Sequence, residues 1–205
     1  MKLSILIPTI IGREDCLKKL IGSLSYQTGI VNFWLAESAN LINRGANDEI
    51  EIIVLTDNKE MSIGEKRNKL LSVANGEYCC FIDDDDEISE EYIKLLLEVA
   101  ESGCDCASLK GVITTDGANP QIFEHSLKYI EWKTNTNTGF GDVVYERYNN
   151  HLNMIKTSIA KQFKFPDKNF SEDYDWSKLL HESGLLKTEY YIEDILYYYK
   201  FVTKK

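Results

Sequence analysis

Short apolar runs alternate with longer stretches of helical periodicity through the first half of the chain. Buried strands are predicted at residues 3–7, where Pro8 stops the run, and at residues 51–55, 78–82 and 105–109. Apolar positions three and four apart predict helices starting at Glu14 and covering residues 62–74 and 90–101. This order predicts an α/β fold, with a mainly parallel central sheet flanked by helices on both faces.

Polar residues follow three of these strands. They are Pro8 and Thr9 after the first, Asp57 within residues 56–58 after the second, and an acidic run after the third. The carboxyl ends of parallel strands meet at one edge of a sheet, where ligands usually bind. We therefore expect a ligand site at this edge.

The acidic run consists of Asp83, Asp84, Asp85 and Asp86, between an apolar strand and a helix. Four like charges held at one place favour a hard divalent cation, and Mg²⁺ or Mn²⁺ is commonly bound by one or two carboxylates with substrate phosphate oxygens. The alternative interpretation is a solvated surface run without a ligand.

Regular alternation fades after residue 114. We expect an irregular strand within residues 145–155, a helix at 171–180, and tyrosine-rich strands at 188–192 and 195–201. The helix begins with Glu172, Asp173 and Asp175, so a carboxylate there is a candidate general base. The alternative is a helix N-terminus whose acids complement the helix dipole.

Composition narrows the class of protein. The 205 residues are 43% hydrophobic with a formal net charge of −10, which predicts one domain (1–205) without a clear nucleic-acid surface. The first apolar run is short for a signal peptide or a membrane span, and no basic amphipathic helix indicates a membrane surface. Five cysteines match neither a disulfide framework nor a zinc pattern, so we expect a cytoplasmic protein with free thiols.

Several segments together resemble family 2 glycosyltransferases of the GT-A fold. They are LSILIPT at 3–9, LIGSLSYQT at 20–28, EIIVLTDN at 51–58, KRN at 66–68, ANGEY at 74–78, FIDDDD at 81–86, and Phe165 with EDYDW at 172–176. The block from residue 66 to residue 86 is the most specific part. The resemblance implies a nucleotide-sugar-binding half at 1–112 and an acceptor-binding half with the catalytic base at 113–205.

Roles are carried over by position. The resemblance places Pro8, Thr9 and Asp57 at the nucleotide base, Lys66 and Arg67 near the diphosphate, Asp83 and Asp84 at the ribose, Asp85 at the metal, and Asp173 as catalytic base. Asp86 stays open between capping the following helix and orienting the donor sugar. Before the motif is considered, Lys66 and Arg67 are equally typical of a solvated helix face.

The last strand departs from the family pattern, since residues 197–201 contain no histidine; Lys200 is instead a candidate diphosphate contact. His151, Asn153 and Lys156 are candidate acceptor contacts, with a structural role as the alternative. Trp132 and Trp176 are either sugar-stacking or buried aromatic residues.

The sequence thus predicts an inverting, metal-dependent glycosyltransferase that moves a sugar from a UDP-sugar to the hydroxyl of a saccharide or another acceptor. One alternative is a nucleotidyltransferase, but residues 8–14 contain no glycine-rich phosphate loop. The other is a non-catalytic nucleotide-sugar-binding domain, against which the retained Glu172 and Asp173 count.

Overall fold

The computed structural model describes residues 1–30, 41–136, 139 and 141–203. The strands are β1 (Leu3–Ile10), β2 (Leu41–Ala46), β3 (Ile50–Asp57), β4 (Tyr78–Phe81), β5 (Glu87–Ile88), β6 (Cys106–Ala107), β7 (Leu109–Thr115), β8 (Ala118–His125), β9 (Lys133–Thr134), β10 (Val143–Arg147), β11 (Ile155–Lys156), β12 (Glu189–Tyr190) and β13 (Ile195–Phe201). The helices are α1 (Glu14–Thr28), α2 (Ile63–Val73), α3 (Tyr92–Ser102), α4 (Thr157–Ala160) and α5 (Glu172–Ser183).

The central sheet has the strand order β12-β6-β11-β4-β1-β3-β2 among the described residues. Within it, β1 pairs in parallel with both β3 and β4. The carboxyl ends of these three strands therefore lie at one edge, as the sequence predicted. The edge strand β2 runs antiparallel to β3, and β11, between β6 and β4, runs antiparallel to both of its neighbours.

Both faces of this sheet are covered, which explains why its strands are almost continuously apolar. On one face, Ile5 and Ile52 pack in a cluster with the apolar side chains of α1 and α3. On the other, Leu6 and Ile53 pack with α2 and α5. The predicted α/β fold is confirmed, with successive strand residues facing opposite helical layers.

The expectation that Pro8 ends the first strand is wrong, since β1 continues to Ile10. The carbonyl oxygen of Leu6 accepts from the Ile82 amide on the β4 side, and Pro8 faces the same side two residues later. Pairing of β1 with β4 ends at Leu6, so no ladder bond is lost through the missing N–H of proline.

A second sheet, with the order β5-β13-β7-β8-β10-β9 in the described part of the chain, was not predicted. It joins residues far apart in sequence: β13 pairs with β7 and also with β5. The approach of β7 to its neighbours requires Gly111, where a Cβ would overlap the Phe123 ring and the Tyr197 carbonyl.

None of the described helices is long and apolar enough to cross a membrane.

Candidate functional site

A cavity of about 720 Å³ opens at the carboxyl edge of β1 and β4. Its other walls are the second sheet and the start of α5. The lining includes Pro8, Arg13, Arg67, Asp83, Asp84, Asp85, Phe123, His125, Trp132, Tyr145, Arg147, His151, Ser171, Glu172, Asp173 and Tyr199. The structure therefore brings the metal-ligand candidate, the ribose candidates and the base candidate into one space.

Asp84 and Asp85 share a cation. Arg13, in the turn between β1 and α1, places Nη1 3.0 Å from Asp84 Oδ1 and pairs through Nη2 with Asp85 Oδ2. The Thr9 hydroxyl donates to the other oxygen of Asp84. Asp84 is buried, whereas the side chain of Asp85 is 36% exposed. Of the two, Asp85 has the carboxylate that is more open to a ligand.

Asp83 is linked to the start of α5 through Arg67. Arg67, on α2, places Nη2 3.0 Å from Asp83 Oδ1 and pairs through Nη1 with Glu172 Oε1. Its side chain is only 4% exposed and lies against the rings of Phe81 and Phe165. A buried guanidinium between two carboxylates fixes the distance between the end of β4 and the first residue of α5.

Asp86 points away from the cavity lining and towards the second sheet. The Tyr197 hydroxyl donates to Asp86 Oδ2 at 2.8 Å and accepts from the Asp83 amide at 3.2 Å. The Lys200 amide donates to Asp86 Oδ1 at 2.9 Å. These bonds tie the acidic run to β13, and they differ from both helix capping and donor orientation, the two roles left open for Asp86.

Three carboxyl groups of the acidic run have pKa values shifted from the ordinary range, and not all in the same direction. Burial raises the pKa of Asp84 to about 6, against the hydrogen bond from Thr9 and the charge of Arg13. Burial, with the nearby charge of Asp83, raises the pKa of Asp86 to about 8. Burial also opposes ionisation of Asp83, but Arg67 and His151 outweigh it and hold its pKa well below the ordinary range. Of these three residues, Asp83 is the one whose ionised form the protein favours.

Asp173 lies half-buried in the first turn of α5 and lines the cavity. No hydrogen bond to its carboxylate is found among the described residues, so it is available to accept a proton. The preceding Ser171 has φ +59° and its side chain does not cap the helix. The acidic first turn of the helix-start alternative is present in α5, but it lacks a cap from the Ser171 side chain.

Three other candidates for binding the base or the diphosphate, Asp57, Lys66 and Lys200, form ion pairs within the protein and do not line the cavity. Asp57 is fully buried at the end of β3, where it pairs with Lys66 and accepts from the Met61 amide at 2.8 Å. Lys66 also donates to the Thr9 carbonyl at 2.8 Å. The Lys200 side chain pairs with Glu87 outside the cavity lining. The structure gives Asp57 and Lys66 a shared role in joining β1, β3 and α2.

Three of the candidate contacts, Asn153, Trp176 and Lys156, have structural partners within the protein. Asn153 is buried and closes a turn, accepting from the Asn150 amide at 2.9 Å and donating to the Ala107 carbonyl at 3.0 Å. Trp176 is 1% exposed and stacks on Phe165, which matches the buried-aromatic alternative. Neither belongs to the cavity lining. Lys156 likewise lies elsewhere, paired with Asp105 at 3.0 Å.

His151 and Trp132, in contrast, do line the cavity. His151 is 5% exposed, and both of its ring nitrogens lack a hydrogen-bond partner among the described residues. Its Nε2 lies 3.9 Å from Asp83 Oδ2, which is longer than a hydrogen bond. The Trp132 indole nitrogen also lacks a partner. Buried polar atoms without partners are rare, and both residues border the cavity.

The donor set fits a divalent cation that receives most of its ligands from a substrate. No group of three or more His, Cys, Asp or Glu side chains that could hold a metal occurs within residues 1–30, 41–136, 139 and 141–203. Asp85 offers an accessible carboxylate, and Asp84 lies beside it. Mg²⁺ and Mn²⁺ accept this arrangement, with one or two carboxylates, phosphate oxygens and water.

Sequence reasoning missed two residues of this site, Arg13 and Tyr197. Arg13 lies in the short turn between the end of β1 and the start of α1, close to the carboxyl edge of the sheet. Its position in the sequence could therefore have identified it as a candidate site residue. Tyr197 lies in a run of three tyrosines, and nothing in the run distinguishes the one that faces Asp86.

Comparisons with known proteins agree with this geometry. Residues 4–166 match the family model described as Glycosyl transferase family 2. A search of curated proteins gives no match. Among solved structures, S. aureus TarS 1–349 in complex with UDP has a TM-score of 0.64 at 18% identity, covering 98% of this chain and 60% of that one. TarS 1–349 in complex with UDP-GlcNAc has a TM-score of 0.61 at 19% identity, covering 100% and 60%. The chain spans about 60% of the length of these structures, and the likeness shows the GT-A fold.

Proposed function

Since this chain belongs to glycosyl transferase family 2, we propose that it is an inverting, metal-dependent glycosyltransferase acting on a UDP-sugar and a hydroxyl acceptor. The observation that supports this most is the shared cavity, in which Asp85 and Asp173 line one space bridged by Arg67. The TarS structures with UDP and UDP-GlcNAc support a uridine donor. The free cysteines fit a reducing, cytoplasmic location, which is part of the proposal.

The donor side of the cavity is the edge formed by Pro8 and the acidic run. Asp83 and Asp84 would contact the ribose, and Asp85 would hold Mg²⁺ or Mn²⁺ beside the diphosphate. The cation would neutralise the charge that develops on the departing nucleoside diphosphate, so that group leaves without a proton. Arg67 holds Asp83 in its ionised form and at a fixed position, as a contact to the ribose requires.

The acceptor side is the space between α5 and the second sheet. Asp173 accepts the proton of the attacking hydroxyl, and the oxygen displaces the nucleoside diphosphate from the opposite face of the sugar, which inverts the anomeric centre. Glu172 is buried and bound to Arg67, so the neighbouring base is held at a fixed place relative to the donor carboxylates. The aromatic wall formed by Trp132, Tyr145 and Tyr199 suits a saccharide acceptor.

The Asp173→Asn variant tests the base assignment. We expect the release of UDP from UDP-sugars, with water as acceptor, to fall by about 10²- to 10⁴-fold, because proton removal is lost. UDP affinity measured by calorimetry with Mn²⁺ should stay unchanged. Asp175→Asn is the matched control, since Asp175 lies in the same helical turn, pairs with Lys168 and is outside the cavity lining.

Equal rates for wild type and Asp173→Asn would show that another group is the base. UDP binding by the wild type without release of UDP from any donor would favour the non-catalytic alternative. The experiment therefore separates a wrong base from a domain that only binds nucleotide sugars.

A further inference from the structure

Arg13 occupies the position of a cation between two carboxylates of the acidic run. Its two terminal nitrogens serve different residues, Nη1 with Asp84 at 3.0 Å and Nη2 with Asp85. The residue lies in the turn that follows β1, with its amide donating to the Ile10 carbonyl at 3.3 Å. The backbone is therefore fixed, and the long side chain alone reaches across the cavity mouth.

The pair of Arg13 with Asp85 is more exposed than the other ion pairs of the site, including that of Arg13 with Asp84, whose side chain is 2% exposed. The side chains of Lys66 and Arg67 are each 4% exposed, and their carboxylate partners include the buried Asp57 and Glu172. Arg13 and Asp85 are each 36% exposed. Solvent screens such a pair, so it is weak and can be exchanged for a stronger interaction, whereas the buried pairs cannot be broken without a large cost.

Resting on the proposed function, we propose that Arg13 is a built-in counter-cation of the donor site, and that it must leave Asp85 for the divalent cation to bind. The guanidinium neutralises the carboxylates while no metal is present. A divalent ion on Asp85 would meet the positive Nη2 of Arg13 at close range, and two cations on one carboxylate oxygen repel each other.

Release of Arg13 leaves Asp84 in place, because Thr9 still donates to its second oxygen. Arginine has several rotatable side-chain bonds, and the freed guanidinium still borders the cavity that receives the diphosphate. The site thus exchanges one cation for another at Asp85 while the buried Arg67 pairs remain unchanged. This predicts that Arg13 weakens the binding of metal alone.

The test is titration of the full chain with Mn²⁺ in the absence of nucleotide, followed by electron paramagnetic resonance of free Mn²⁺. We expect Arg13→Gln to bind Mn²⁺ about fivefold more tightly than wild type, the order expected when one half-exposed competing ion pair is lost. Adding Asp85→Ala to Arg13→Gln should remove the gain. Arg147→Gln is the matched control, since it removes a cation from the same cavity lining whose Nη1 bonds backbone carbonyls rather than carboxylates.

Unchanged or weaker Mn²⁺ binding by Arg13→Gln would overturn the inference, and so would an equal gain in Arg147→Gln, which would indicate a general effect of net charge. Failure of both wild type and Arg13→Gln to bind Mn²⁺ alone, while UDP binds with Mn²⁺, also counts against it. The proposed function fails by a different readout, namely the absence of Mn²⁺-dependent UDP binding in the wild type. Matching thermal unfolding curves show that the variants are folded.

Discussion

Arg67 joins the two halves of the proposed chemistry at the scale of a single residue. It is buried, and its two terminal nitrogens bind Asp83 on the donor side and Glu172 beside the base. If either carboxylate turned towards water, the buried guanidinium of Arg67 would lose one of its two counter-charges. The geometry of the site therefore depends on this side chain, even though its charge is fully used within the protein.

Arg67→Met should lower the free energy of unfolding by about 3–5 kcal/mol, because it leaves the buried Glu172 and the partly buried Asp83 without their cation. Lys69→Met is the matched control on the same helix: Lys69 is 50% exposed, its ion pair is with the exposed Glu65 and its ammonium contacts the Met61 sulfur, so its loss should cost less than about 1 kcal/mol. Urea denaturation measures both. Equal losses in the two variants would show that burial of Arg67 contributes nothing to its pairs.

At the scale of elements, the approach of α2 to the segment before α5 positions the base. Gly64, in the first turn of α2, donates its amide to the Lys168 carbonyl at 3.3 Å. A Cβ at residue 64 would overlap the Pro166 carbonyl oxygen. The glycine thus permits backbone contact between α2, which carries Arg67, and the segment that leads to Asp173.

Gly64→Ala should destabilise the protein by about 1–3 kcal/mol through this overlap, and should reduce UDP release from donors by displacing Asp173. Gly22→Ala is the matched control, since Gly22 lies within α1 and a Cβ there meets nothing within 4 Å. That change should stabilise the protein by about 0.5–1 kcal/mol. Chemical denaturation gives both values, and a neutral Gly64→Ala would contradict the close approach.

The elements that local pattern could predict are those around β1, β3 and β4. Their apolar runs are continuous because helices cover both faces, and the polar residues behind them mark the site edge. The second sheet was missed in part because β13 pairs with strands distant in sequence, as Tyr198 does with Glu87 of β5. Its β7–β8 hairpin is local, with only Asp116 and Gly117 between the strands, and was missed although the turn residues were visible. Arg13 was missed for a related reason, since its partners are set by how the turn after β1 meets the loop after β4.

At the scale of the whole molecule, the second sheet closes the cavity opposite the acidic run. Phe123, His125 and Tyr199 contribute to that wall, and Tyr197 bonds the sheet to Asp86. The division at residues 112 and 113 stays a prediction. The second sheet also buries a histidine whose ionisation is linked to folding, so the packing of this wall can be followed through pH.

Burial and the nearby His151 together lower the pKa of His125 to about 3, against the hydrogen bond with Asn153. The folded protein therefore keeps His125 neutral, while the unfolded chain takes up a proton near pH 6.5. Because the unfolded state binds more protons between those values, the free energy of unfolding should fall as pH drops from 6.5 towards 3, by up to about 1.4 kcal/mol per pH unit from this residue. Above pH 6.5 the contribution of His125 to stability is constant.

His125→Gln removes the titrating group. The free energy of unfolding of this variant should therefore fall less steeply than that of the wild type between pH 6.5 and 3, when urea denaturation is repeated at each pH. Carboxylates titrate in both proteins, and the difference between the two slopes isolates the histidine. Parallel slopes would mean that His125 is protonated in the folded protein and that the wall of the cavity admits water.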